Sequence, residues 1–176
     1  MTRSELEHII RAASAITNEY EIVVIGSQSI LGQVPMAPET LLMSMEADVF
    51  ALQQPDLSDL IDGSIGELSP FQQRFGYYAH GVSPNTAVLP EGWKERLHKI
   101  QNDNTDLKIG YCLDVHDLAS SKLVAGREKD LDFVGEMFRH DIINVTTINE
   151  RVAKLPIDDD HKRLLEQRIT ALQAGK

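Results

Sequence analysis

Glu21-Ile-Val-Val-Ile-Gly-Ser27 is the stretch of sequence that decides the fold. Its β-branched run predicts a short buried strand, and its glycine marks the turn that ends the strand. The residues that follow Gly26 are too few for an independent element and predict a short helix that opens directly from this turn. Farther along, Met45-Glu-Ala-Asp-Val-Phe-Ala-Leu52 predicts a second strand.

The second strand carries two acidic residues at alternate positions. Glu46 and Asp48 project from the same face, about 6.6 Å apart along the backbone. Two carboxylates on one face repel each other unless they ionise around a cation, and Mg²⁺ or Mn²⁺ takes hard oxygen ligands together with substrate phosphate. Gly26 allows a phosphate to approach the backbone closely, and Ser27 adds a hydroxyl donor. The pattern therefore predicts a metal–nucleotide site.

This arrangement resembles the nucleotidyltransferase superfamily, in which a strand ending in Gly-Gly or Gly-Ser precedes a strand that carries acid-x-acid. The chain departs from that pattern in having a long spacer and Glu46 as its first acid. Cys112-Leu-Asp-Val-His-Asp-Leu-Ala-Ser-Ser-Lys-Leu-Val-Ala-Gly-Arg-Glu-Lys-Asp130 is similar to a segment of the AbiEii-type toxin branch. Together with Leu89-Pro-Glu-Gly-Trp-Lys-Glu-Arg-Leu97, it resembles more closely the uncharacterised bacterial nucleotidyltransferase-like group DUF6036, from about residue 20 to about residue 140.

The resemblance implies roles for individual residues. Glu46 and Asp48 would bind the metal and act in catalysis. The remaining implied residues would surround the nucleotide in the same cleft: Gly26 and Ser27 at its phosphates, with Lys122, Arg127, Lys129 and Asp130.

A full enzyme of this kind usually has a third carboxylate on a later strand, which activates the attacking hydroxyl. Asp114, after the strand predicted at 108–113, is the better chemical fit. His80, on the strand predicted at 77–82, is not a carboxylate but could serve as a base. Asp130 is the other acid expected to assist the attack.

The whole pattern predicts an α+β fold, a small mixed sheet flanked by helices with a helical C-terminal third. Residues 1–140 would form the nucleotidyltransferase-like domain, and residues 141–176 a helical extension packed on it. Between the predicted strands at 77–82 and 108–113, we expect a strand at 86–89 and a short helix at 93–100. Helices are predicted at 115–125, 128–139 and 148–155, and a last one begins at Asp158.

Composition excludes several classes of protein. The formal net charge of −10 argues against non-specific binding of duplex DNA, whose phosphates repel an acidic surface. The single cysteine, Cys112, excludes an internal disulfide framework and is expected in the core. No apolar run approaches the length of a membrane span, and the N-terminus lacks the features of a signal peptide, so a cytoplasmic protein is expected.

The leading hypothesis is Mg²⁺- or Mn²⁺-dependent transfer of a nucleoside monophosphate from a nucleoside triphosphate to a hydroxyl of RNA, protein or a small molecule. The alternative is a catalytically inactive protein of the same fold that binds a partner protein in a toxin–antitoxin-type pair. A scaffold protein that binds no ligand is a third hypothesis. Trp93 is expected to be a packing residue, and a zinc pair of His80 and His116 is disfavoured because the spacing offers no recognisable ligand set.

Overall fold

The computed structural model describes residues 1–175. The strands are β1 (Glu21–Val24), β2 (Glu46–Ala51), β3 (Tyr78–Gly81), β4 (His98–Ile100) and β5 (Ile109–Cys112). The α-helices are α1 (Arg3–Thr17), α2 (Ser58–Ile65), α3 (Pro70–Phe75), α4 (Val115–Ala125), α5 (Glu128–Arg139), α6 (Val145–Ala153) and α7 (Asp159–Ala174).

The five strands form one mixed sheet in the order β3-β2-β1-β5-β4. The central pair, β1 and β2, is antiparallel, whereas β1 with β5 and β2 with β3 are parallel. The edge strand β4 runs antiparallel to β5. The predicted α+β fold class is confirmed.

The first helix covers the sheet because its sequence places four apolar side chains on one face. A capping box formed by Thr2 and Glu5 starts α1, and Leu6, Ile9, Ile10 and Ala13 are fully buried. A Cβ added to Gly110 on β5 would lie 2.3 Å from the Ile10 side chain, so α1 approaches this strand more closely than any larger residue there would permit.

The C-terminal third is helical, as predicted. α4 ends at Gly126, whose φ of +64° is the left-handed conformation that glycine adopts without strain. α6 packs on α4, and α7 packs on both α5 and α6. The inward side chains belong to the same core as the sheet: Val134, Met137, Phe138, Ile148, Val152, Leu165 and Ile169. The division of the chain at residue 140 stays a prediction.

Two local predictions are wrong. Residues 86–89 form no strand: Ser83 and Pro84 start a 3₁₀ helix at Pro84–Thr86, and β3 already pairs with β2. The segment at 93–100 is not one helix but a 3₁₀ helix at Trp93–Arg96 followed by β4, because pairing with β5 satisfies the backbone there. Short apolar runs do not distinguish helix from strand until their partner is known.

Other local expectations hold. Asp158 caps α7 by accepting a hydrogen bond from the backbone N–H of His161. Cys112 is fully buried, and Trp93 is partly buried against the core. Within residues 1–175, no helix combines the length and the apolar character that crossing a membrane requires.

Candidate active site

Glu46, Asp48 and His80 meet on one face of the sheet. β2 and β3 are parallel, and their register places Asp48 beside His80. The His80 Nδ1 atom lies 3.1 Å from Asp48 Oδ1 and 3.5 Å from Glu46 Oε1. One donor atom from each of the three residues lies within 4.8 Å of the others, so two carboxylates and an imidazole could hold one metal ion. This set is called the cleft triad below.

The Gly-Ser turn lies directly against this triad. A Cβ added to Gly26 would lie 1.8 Å from Asp48 Oδ2, so any larger residue would displace that carboxylate. The two strands bring the turn and the acid together, since the Ile25 N–H donates to the Asp48 carbonyl at 3.0 Å. Ser27 is the first residue of a 3₁₀ helix, Ser27–Gly32. It does not cap this helix, because Gly26 occupies the N-cap position.

Tyr78 fixes the orientation of Glu46. It lies opposite Glu46 in the register of β2 and β3, and its hydroxyl donates to Glu46 Oε2 at 2.9 Å. The remaining oxygen, Oε1, therefore faces His80. Burial, together with this hydrogen bond to an anion, raises the pKa of Tyr78 to about 12. The phenol thus stays protonated as a donor.

Proton affinities in the triad reflect crowding of negative charge. Burial, reinforced by the neighbouring Glu46, raises the pKa of Asp48 to about 6. Burial also disfavours the Glu46 anion, but hydrogen bonds from Asp48, Tyr78 and His80 outweigh it and lower the pKa of that carboxyl group. Of the two acids, Asp48 therefore takes up a proton first as the pH falls. Burial disfavours the charged form of His80, but the Asp48 and Glu46 carboxylates favour it more strongly. The pKa of His80 is therefore raised.

Cationic residues line the facing wall of the cleft. Asp130 holds Lys122 Nζ at 3.2 Å and Arg127 Nε at 2.5 Å. The Lys122 ammonium also lies 4.5 Å from the centre of the Phe133 ring. Lys129 is exposed on the same wall.

The two walls enclose a cleft of about 600 Å³. This cavity is lined by the acids of β2, by Gly26 and Ser27, and by Lys122, Arg127 and Lys129. The walls also interact electrostatically, because the Asp48 charge acts on both Lys122 and Arg127. The space has the size of a small-molecule site.

The family that the sequence motifs resemble is also found by comparison. The family described as "Nucleotidyltransferase of unknown function (DUF6036)" matches residues 4–170. The chain belongs to the DUF6036 family. No curated protein and no protein of solved structure matches the chain.

Most of the residues predicted from the DUF6036 resemblance line one cleft. They are Gly26, Ser27, Glu46, Asp48, Lys122, Arg127, Lys129 and Asp130. Asp130 is almost fully buried and both its oxygens are bound by Lys122 and Arg127. It holds these two cations in place, and the catalytic role implied for it stays a prediction.

Asp114 has a different environment and is not among the residues that line the cleft. Its carboxylate caps α4 by accepting from the His116 N–H at 2.9 Å, and it also faces His98 and His116. These hydrogen bonds outweigh burial and lower the pKa of Asp114 to about 2. In this DUF6036 chain, His80 and not Asp114 lies beside the acid pair.

Sequence reasoning missed Tyr78, and it named His80 as a possible base without placing it in contact with the two acids. The alternation of Tyr78 and His80 along β3 resembles that of Glu46 and Asp48 along β2. A strand pairing with β2 would have brought the two sets together. The sequence did not reveal that pairing, because β3 follows two helices and β2 has two edges.

Proposed function

We propose that this DUF6036 protein transfers a nucleoside monophosphate from a nucleoside triphosphate to a hydroxyl group of an acceptor. One observation carries the proposal: the Glu46 and Asp48 carboxylates meet, with Asp48 against Gly26, in a cleft that Lys122 and Arg127 also line. Two adjacent acids favour a cation, and Lys122 and Arg127, which share the single carboxylate of Asp130, leave positive charge for a further anion. A metal-bound triphosphate supplies both.

The chain's own residues would bind the substrate from two sides. The open backbone at Gly26 and the Ser27 hydroxyl would receive phosphate oxygens, and Lys122, Arg127 and Lys129 would neutralise their charge. Asp130 keeps Lys122 and Arg127 in place before the substrate enters. Glu46 and Asp48 would hold Mg²⁺ or Mn²⁺, which supplies charge stabilisation at the phosphate that is transferred.

The reaction would be an in-line substitution. The acceptor oxygen forms a bond to the α-phosphorus, the bond to the bridging oxygen breaks, and pyrophosphate leaves with that electron pair. The hydroxyl proton passes to water in the open cleft, because Asp130 is bound by two cations and Asp114 lies elsewhere. Catalysis therefore consists mainly of positioning and electrostatic stabilisation.

The test is release of pyrophosphate from each of the four nucleoside triphosphates with Mn²⁺ or Mg²⁺, with short RNA oligonucleotides and the protein itself as acceptors. Transfer of an α-phosphate label to the acceptor is followed in parallel. We expect Glu46→Gln and Asp48→Asn each to lower the rate at least about 100-fold. Asp114→Asn is the matched control and retains the rate.

Wild-type rates in both cleft variants would overturn the proposal. The alternative, a catalytically inactive partner in a toxin–antitoxin-type pair, has no observation in its favour among residues 1–175. Nucleotide binding without turnover for every acceptor would support it. The acceptor class follows from which probe receives the label.

A further inference from the structure

We infer that His80 is the third protein ligand of the ion in this cleft and that its imidazole makes the site prefer Mn²⁺ to Mg²⁺. The inference rests on the proposed function, because it assigns the chemistry of the ion that Glu46 and Asp48 would hold. It goes further by assigning a nitrogen donor and a cation preference.

The spacing of the donor atoms fits one ion. Adjacent ligands about 2.1 Å from an octahedral ion lie about 3.0 Å from each other. His80 Nδ1 is 3.1 Å from Asp48 Oδ1 and 3.5 Å from Glu46 Oε1. Small side-chain rotations would therefore bring the three atoms to bonding distance of a common centre.

The surroundings leave these three atoms available. Tyr78 binds Glu46 Oε2, and Asp48 Oδ2 lies over Gly26, so the oxygens that face His80 are the remaining ones. Within the described part of the chain, no lysine or arginine forms an ion pair with Glu46 or Asp48. The Lys122 ammonium, which could compete, is bound to Asp130.

The type of ligand atom then determines which cation the site prefers. Mg²⁺ takes oxygen ligands almost exclusively and loses its water reluctantly, whereas imidazole is a common ligand of transition metals. Mn²⁺ accepts carboxylate and imidazole together. A third carboxylate at position 80 would make an all-oxygen set suited to Mg²⁺, whereas the histidine shifts the balance toward Mn²⁺.

The direct test is pulsed electron paramagnetic resonance of the full chain loaded with Mn²⁺ alone. A coordinated imidazole gives ¹⁴N modulation of the echo, which an uncoordinated histidine does not. We expect the modulation in the wild type and its loss in His80→Asp. His98→Gln removes another partly exposed histidine, outside the cleft, and should retain the signal.

A competition titration of Mn²⁺ against Mg²⁺ gives the second readout. His80→Asp should lower the ratio of Mn²⁺ to Mg²⁺ affinity about tenfold, while circular dichroism verifies that the half-exposed substitution leaves the fold intact. Mn²⁺ bound by the wild type without ¹⁴N modulation overturns the inference. An unchanged affinity ratio in folded His80→Asp also overturns it.

The results that would overturn the role of His80 differ from those that would overturn the proposed function. If Glu46→Gln and Asp48→Asn abolish Mn²⁺ binding while the nitrogen signal is absent, the site remains and only the role of His80 is wrong. If both carboxylate variants bind Mn²⁺ like the wild type, the proposed function fails together with the inference.

Discussion

This protein has two clusters of charged residues, and each contains an aspartate. The two aspartates have opposite surroundings. Asp48 faces Glu46 and a histidine in an open cleft. Asp117 is completely buried between α4, α6 and the 3₁₀ helix at Trp93–Arg96. The Arg96 guanidinium binds it with two hydrogen bonds of 2.8 and 3.0 Å. Arg151 Nε lies 3.2 Å away as an ion pair without the alignment of a hydrogen bond.

The difference separates an acid that supports structure from an acid that is available for a ligand. Asp117 has its charge compensated by two arginines within the fold, so nothing remains for a substrate to satisfy. Asp48 lies beside a second acid, where a cation would lower its energy, and burial together with Glu46 raises its pKa to about 6. Sequence alone does not separate these cases, since Arg96 and Arg151, which compensate Asp117, lie far from it along the chain.

Removing Asp117 should have the largest effect on stability. Asp117→Ala leaves two arginines around an empty buried position, and breaking a buried ion pair costs about 3–5 kcal/mol. Asp48→Asn should change the free energy of unfolding by less than about 1 kcal/mol, because it relieves repulsion at a partly exposed position. Urea unfolding of both variants measures this. An equal loss of stability in both variants would contradict the distinction between a structural aspartate and one that is available for a ligand.

Gly26→Ala should disrupt the cleft triad without removing an acid. The new Cβ would lie 1.8 Å from Asp48 Oδ2, so the carboxylate must move and Mn²⁺ affinity should fall about 100-fold. Gly63→Ala is the control, because a Cβ there meets nothing within 4 Å and an alanine within α2 should stabilise the protein by about 0.5 kcal/mol. Isothermal titration compares the two, and wild-type affinity in Gly26→Ala would contradict the packing described.

Asp130→Asn tests the facing wall. Lys122 and Arg127 lose the carboxylate that positions them, so nucleotide affinity should fall about tenfold while Mn²⁺ affinity changes less than about twofold. Fluorescence titration with a nucleoside triphosphate analogue gives the first value and Mn²⁺ titration the second. A loss of Mn²⁺ affinity equal to that of nucleotide would show that the walls are not separate in function.

Protonation of Asp48 should weaken cation binding by up to about tenfold per pH unit on acidification. Asp48 has a pKa of about 6 without the ion, and only its deprotonated form is a ligand, so affinity falls as the pH drops below about 6 and this group adds no dependence above about pH 7. The raised pKa of His80 acts in the same direction. Mn²⁺ titrations between pH 5 and 8 check this, and a flat profile would exclude Asp48 as a ligand.

Sequence patterns predicted the fold where local signals agreed with each other. The β-branched run before Gly26, the alternating acids of β2 and the capped C-terminal helices each depend on neighbouring residues. The prediction of a helix at 93–100 failed because the last three residues form a strand only through pairing with β5, whose partner residues lie ten to fourteen positions away.

The candidate site shows the same limit. Glu46 and Asp48 share a strand, so their common face could be predicted from spacing alone. His80 joined them only through the parallel pairing of β2 and β3, and Asp114 was given a role on the basis of its chemistry alone. Its position as the N-cap of α4 is local, since Asp114 directly precedes the helix predicted at 115–125.

The measurement that tests the account most directly is nucleotide binding with and without Mn²⁺, by calorimetry on wild type, Asp48→Asn and Asp114→Asn. Asparagine can still cap α4, so the second variant keeps its fold. We predict Mn²⁺-dependent binding in wild type and Asp114→Asn and its loss in Asp48→Asn. Mn²⁺-dependent binding that survives in Asp48→Asn and disappears in Asp114→Asn would contradict the account.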